Sequence, residues 1–244
     1  MPALLLIAHG SRDPRHAATV AALVEEVRAR RPGVEVATAY LDHCAPRIPQ
    51  VVGRLADAVA VPLLLNRAFH AKHDIPAALR AAGSRLPVAD VLGPSPLLLA
   101  ALDRRLAEAG LEVGSPAVRA RTGVVLAAAG SSDPAADAAT RAVAAQWRRT
   151  RGWAGVEVAY ASAAGPRVPD ALAALRAAGA GRTAVAPYLL APGLLPDRIA
   201  AAAGAAGADV LAGVLGACPE VAALLLERHA QALRATATAP ALTA

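Results

Sequence analysis

Residues 5–14 read LLIAHGSRDP, and residues 125–134 read VLAAAGSSDP. In both, an apolar run as long as a buried strand leads within two residues to a glycine. Asp-Pro then follows, a capping side chain before a proline at the first helical position. Each stretch therefore predicts a strand, a tight turn and a helix. The frame Gly-Ser-x-Asp-Pro is kept 120 positions on, but His9 has become Ala129.

The pair belongs to a longer repeat. Val-Glu-Val recurs at 34–36 and 156–158, and Pro-Arg-x-Pro at 46–49 and 166–169. AVAVPLLL at 58–65 matches TAVAPYLL at 183–190, and ADVLGPSP at 89–96 has a looser counterpart in VLGACP at 214–219. The spacing drifts between 120 and 125, as loop insertions produce. Each copy is far longer than a solenoid unit, so the repeat predicts two duplicated domains. Buried strands are expected at 3–8, 34–41, 58–65 and 88–92, with helices at 14–30, 47–57, 75–82 and 96–109. The second copy places strands near 124–129, 155–160 and 183–190. This alternation predicts an α/β fold, each domain a parallel sheet flanked by helices. The boundaries fall at 1–112 and 121–235, with GLEVGSPAVRAR (110–121) as linker and 236–244 as a disordered tail.

Formal net charge is +6, nearly all of the positive charge is arginine, and Lys72 is the only lysine. That balance points to an acidic partner, although the coding bias behind so much alanine also enriches arginine. There is no basic run and aromatics make up 2%, so base-stacking surfaces are lacking and nucleic acid is not expected. A small polycarboxylate or phosphorylated ligand fits the charge. No run approaches the roughly 18 apolar residues of a membrane span, and the start of the chain has no basic leader. Cys44 and Cys218 have no metal-binding spacing and form no disulfide framework, which suits a reducing cytoplasm.

In open α/β sheets, ligands bind beyond the carboxyl ends of the strands. His9 follows the first expected strand, Asp42 and His43 the second, and NRAFHAKHD (66–74), with His70 and His73, the third. The second copy carries Ala129, Ser162 and Leu195 where the first has His9, Asp42 and His70. Scaffold residues persist while three ionisable groups are gone, so the first half is expected to do the chemistry. His43 is expected to point away from Asp42 if the strand continues. His73 either gathers metal or stands near a helix cap, and His16 and His229 are expected on solvated helix faces. Ser11 is retained as Ser131, which favours loop shape over a nucleophilic role.

At LLLIAHGSRDP, AYLDHCAPRIP and PLLLNRAFHAKHDIP the chain resembles the class II chelatases of the sirohydrochlorin cobaltochelatase and ferrochelatase family (CbiX/SirB type). The resemblance covers nearly the whole chain. It implies two similar α/β halves around a cleft, and insertion of a divalent metal (Co²⁺, Fe²⁺ or Ni²⁺) into sirohydrochlorin for cobalamin or sirohaem synthesis. It places metal handling on His9 and His70 and the acidic residue on Asp42, where glutamate is more common. Arg67 and Phe69 depart from the small residues usual before His70. The metal is then a substrate, with no permanent cofactor. A neutral imidazole can act as base or transient ligand, and Asp42 can orient a histidine or attract the cation. Arg12, Arg47, Arg67 and Lys72 are candidates to pair with the substrate's carboxylates. One chain carrying both halves is expected to work as a monomer. Two other readings are a non-catalytic tetrapyrrole or metal carrier and a histidine phosphatase-like enzyme. The second lacks the arginine expected before the histidine, since Ala8 stands there.

Overall fold

The computed structural model describes residues 2–55, 57–66, 73–162 and 165–238. The chain packs as two compact units, residues 1–93 with 219–244, and residues 94–218. Both are α/β.

In the first unit, β1 (Ala3–Ala8), β2 (Val36–Tyr40) and β3 (Ala58–Pro62) form a parallel sheet in the order β2-β1-β3. α1 (Pro14–Arg30), α2 (Ile48–Val52) and α3 (Ile75–Ala81) connect and follow these strands. All six residues of β1 are buried, as expected for a central parallel strand covered on both faces. Leu5 and Ile7 of β1 pack with Ile48, Val51, Ile75 and Leu79 of α2 and α3. The Asp13 side chain caps α1 by accepting from the Arg15 amide at 2.9 Å, with Pro14 in the first turn.

The chain continues through α4 (Pro96–Glu108) and α5 (Pro116–Arg119). β4 (Thr122–Ala128), α6 (Pro134–Arg151), β5 (Gly155–Tyr160) and α7 (Val168–Ala177) follow. β6 (Arg182–Pro187), α8 (Leu194–Ala205), β7 (Val210–Leu211) and α9 (Pro219–Thr238) complete it. The second sheet is parallel in the order β5-β4-β6-β7, with α7 packed on β4 and α8 on β6 and β7, in a core that joins Leu172, Leu175 and Ile199 to Val125 and Val185. Asp133 caps α6 as Asp13 caps α1, accepting from the Ala135 amide at 2.9 Å.

The two units repeat one plan. Leu4 pairs with Val36 and Val59, and Val124 pairs with Val156 and Ala184. That register makes Val36 the counterpart of Val156, so the match of Val-Glu-Val motifs two residues out of step was coincidental. The expected strand at 88–92 is only a bridge, Ala60 to Val88, at the place β7 holds in the second sheet. The expected helix at 47–57 ends at Val52, before Gly53, a residue that favours a helix interior least after proline.

The packing units differ from the sequence halves. α4, encoded in residues 1–112, belongs to the second unit and packs on β6, while α9, from the second half, belongs to the first and packs on α1 and β3. Each exchanged helix carries an arginine that clamps a backbone corner. Arg228 Nε and Nη2 donate to the carbonyls of Val91 and Leu92, both at 2.8 Å. Arg105, 123 positions earlier, donates from Nε and Nη2 to Leu215 O at 3.0 and 2.8 Å. α4 is also held by Asp103, whose carboxylate accepts from Trp147 Nε1 at 2.9 Å and pairs with Arg151 at 2.8 Å.

The expected linker is part of the second unit, for α5 lies within it and Arg119 stands 5.5 Å from the centre of the Trp153 ring. The expected tail begins inside α9, which runs to Thr238, and residues 239–244 lie outside the described ones. Among the described residues, no helix is long and apolar enough to cross a membrane.

Candidate active site

The carboxyl ends of β1 and β2 bring His9 and Asp42 onto adjacent loops. The Leu41 amide donates to Ala8 O at 3.0 Å and the Asp42 amide to His9 O at 2.8 Å, so strand pairing runs on past both strands. Gly10 makes this possible. It has φ +93°, and a Cβ there would lie 1.7 Å from the Asp42 carbonyl oxygen. Only glycine fits both the dihedral and the approach. Gly130 repeats the device against Ser162 O, at 2.3 Å.

His9 is half-buried, with Nδ1 3.0 Å from Gly10 O. Donation from Nδ1–H to that carbonyl puts the basic lone pair on Nε2. Asp42 Oδ1 accepts from the His43 amide and from Arg47 Nη2, each at 2.8 Å. The His43 amide first, and Arg47 after it, hold the Asp42 carboxyl below its ordinary pKa, so it is a carboxylate at neutral pH.

His43 does not point away as expected. The strand ends at Tyr40, the Cys44 amide donates to Asp42 O at 2.7 Å, and His43 takes φ +60°. This tight turn carries its ring to 6.4 Å from that of His9, centre to centre, with Nε2 3.5 Å from Asp42 Oδ2. His73 is exposed at the entrance to α3, next to its N-cap Asp74. His70, Arg67 and Lys72 lie outside the described residues. Among the described residues, no three His, Cys, Asp or Glu side chains gather to hold a metal ion.

Arg12 is exposed on the first loop. Arg47 is already engaged, by Asp42 and by the Leu41 carbonyl. Its counterpart Arg167 donates to Tyr160 O at 3.0 Å in the half without the histidine, which marks a shared role in bracing the loop. Ser11 and Ser131 also keep one role, accepting from the amides of Asp13 and Asp133 at 3.1 and 3.0 Å.

Sequence reasoning missed two contributors and misplaced a further histidine elsewhere in the unit. The Cys44 thiol donates to Ser11 O at 3.1 Å and so ties the Asp42 loop to the His9 loop. His16 is not solvated: it is half-buried, its ring 6.3 Å from that of Tyr40. Burial, and then the charge of nearby His9, push its pKa below the ordinary histidine value. Its counterpart is Ala136, a fourth ionisable group absent from the second half, and the 120-residue spacing already carried that signal. His229 is not solvated either. It is 2% exposed in the first unit, with Nε2 3.3 Å from Ala3 O, and burial lowers its pKa.

The corresponding strand ends of the second unit carry Ala129 and Ser162, whose hydroxyl donates to Ala129 O at 2.6 Å. Leu195 lies in the first turn of α8. These groups can shape a loop but cannot take a proton at neutral pH or bind a cation strongly.

A family model described as CbiX matches residues 3–109 and again 123–232, once for each half of the repeat. The chain is 29% identical over 209 residues to a sirohydrochlorin ferrochelatase of Priestia megaterium, covering 82% of this chain and 77% of the relative. A sirohydrochlorin cobaltochelatase of the same organism is 27% identical over 215 residues, covering 82% and 67%. Among solved structures, SirB from Bacillus subtilis with Fe3+ has the same fold, with a TM-score of 0.82 at 24% identity and 97% of each chain covered.

Proposed function

Because the chain belongs to the CbiX family, we propose that it is a sirohydrochlorin chelatase that takes Co²⁺, Fe²⁺ or Ni²⁺ as its second substrate. The observation that carries this reading is the juxtaposition of His9 and Asp42 on paired strand-end loops, with Ala129 and Ser162 on the equivalent loops of the second unit. The stretch leading to His70 follows the third strand of the same sheet.

Metal insertion exchanges two pyrrole N–H protons for one divalent cation, so charge balances when both protons leave. His9, through Nε2, receives a proton or holds the partly dehydrated cation, and His70 supplies the second imidazole. Asp42, a carboxylate, attracts the cation and favours imidazolium formation nearby. A site with few ligands and no thiolate cage suits a metal that must move on. Arg12, Arg67 and Lys72 pair with substrate carboxylates, whereas Arg47 chiefly braces Asp42. The protein works as a monomer without a permanent cofactor, in a reducing cytoplasm that keeps Cys44 and Cys218 as thiols.

The test is metal insertion followed by the absorbance change of sirohydrochlorin with each divalent metal. His9→Ala and His70→Ala are expected to lower turnover at least ~10²-fold, as for a positioned acid–base group. Adding Ala129→His is not expected to rescue His9→Ala. Near-normal rates in both folded histidine variants would overturn the assignment.

A further inference from the structure

Helix α6 and strand β5 of the second unit line an open groove of about 520 Å³, remote in sequence from His9, Asp42 and His70. Its floor is apolar, formed by Val156 and Val158 of β5 with Ala144 of α6, all buried. Its rim carries Arg141, Arg148 and Arg149 of α6, all exposed, against one carboxylate, Glu157. Arg141 is held in place by Asp137 at 2.8 Å.

This charge is not a by-product of the repeated fold. With the 120-residue spacing, Arg141, Ala145, Gln146 and Arg149 replace Ala21, Glu25, Glu26 and Ala29 of α1. Only Arg148 has an arginine counterpart, Arg28, which is engaged by Glu25 at 2.7 Å and by Val36 O at 3.1 Å. The face of α1 equivalent to the groove lining, Ala21, Glu25, Arg28 and Ala29, is neutral, whereas Arg141, Ala145, Arg148 and Arg149 make it basic in the half that lost its histidines. Volume and lining suit a small molecule, for which cavities of roughly 300–1,000 Å³ with mostly apolar walls are usual. Arg141 and Arg148 lie about 10 Å apart along the helix. The groove therefore fits a flat apolar body with carboxylates spread around its edge.

We propose that this groove is a second, non-catalytic docking site for the polycarboxylate tetrapyrrole, on the half that lost the metal-handling groups. The choice of ligand rests on the chelatase reading; the groove and its charge do not. Arginine pairs readily with carboxylates in a bidentate manner, and exposed pairs of this kind weaken as salt rises.

The experiment is equilibrium titration with metal-free sirohydrochlorin at low ionic strength. The wild-type protein is expected to bind two equivalents. R141A/R148A/R149A is expected to bind one, with the second weakened at least ~10-fold, while inserting metal normally at saturating substrate. Arg28→Ala is expected to leave both equivalents in place. One equivalent in the wild type, or two in the triple variant, would overturn the groove assignment and leave the chelatase reading intact. Two equivalents of which one is lost in the triple variant, without metal insertion in any sample, would keep the groove and overturn the chelatase reading instead.

Discussion

Alanine in place of Gly10 separates catalytic geometry from the scaffold both halves share. The new Cβ would lie 1.7 Å from Asp42 O, where side-chain carbons essentially never come closer than 3.0 Å to a neighbour. The Asp42 loop must therefore retreat by more than about 1 Å, a displacement of the size that costs on the order of 10²-fold in rate when it moves a reacting group. The positive φ adds about 1–3 kcal/mol of backbone strain. Gly130→Ala is the matched control, with the same sign of φ and a less severe approach, 2.3 Å to Ser162 O, against a loop without ionisable groups. It is expected to lower thermal stability like Gly10→Ala but to keep metal insertion within a few-fold of wild type. Both variants are assayed for sirohydrochlorin metallation below their melting temperatures, with circular dichroism as the folding check. Equal losses of activity in the two folded variants, or normal activity in Gly10→Ala, would refute the assignment of chemistry to the first unit.

Three further outcomes concern stability. Asp103→Ala is expected to cost about 1–3 kcal/mol, because it leaves the Trp147 indole N–H buried without its acceptor. Asp103→Asn, which keeps an acceptor, is expected to cost less, and tryptophan-monitored denaturation compares the two. His229 has its pKa lowered in the folded state by burial, so its contribution is fully present above the unfolded value of 6.5 and is lost as pH falls below it. His229→Leu, which places at 229 the residue type found at its counterpart Leu106, is expected to flatten the fall in stability below that pH; an unchanged profile would count against a neutral buried imidazole. Arg228→Ala and Arg105→Ala remove charge-assisted bonds to the carbonyls that follow the Val88 bridge and β7, and are expected to cost about 1.5–3 kcal/mol each in thermal unfolding.

Much of this protein is legible along the chain, because its signals are local. The apolar runs of β1 and β4, the Asp-Pro starts of α1 and α6, and the glycines at 10 and 130 each act within a few residues. The repeat exposes the asymmetry of the site, since His9, Asp42, His70 and, on closer alignment, His16 all lack ionisable counterparts. Those patterns state which face of an element is buried, not against what. α4 and α9 have the same apolar faces whichever sheet receives them, and their exchange is decided by partners such as Leu215 for Arg105, 110 residues away. The burial of His229 depends on that exchange, which brings α9 against β1 of the first unit. The turn that brings His43 towards His9 likewise depends on where β2 stops pairing, and that is settled between strands. Sequence alone predicted most of the strands and the caps, and showed which half keeps the ionisable groups. Tertiary packing decided which helix completes each unit and which histidines are withdrawn from water, because burial is a property of neighbours distant in the chain.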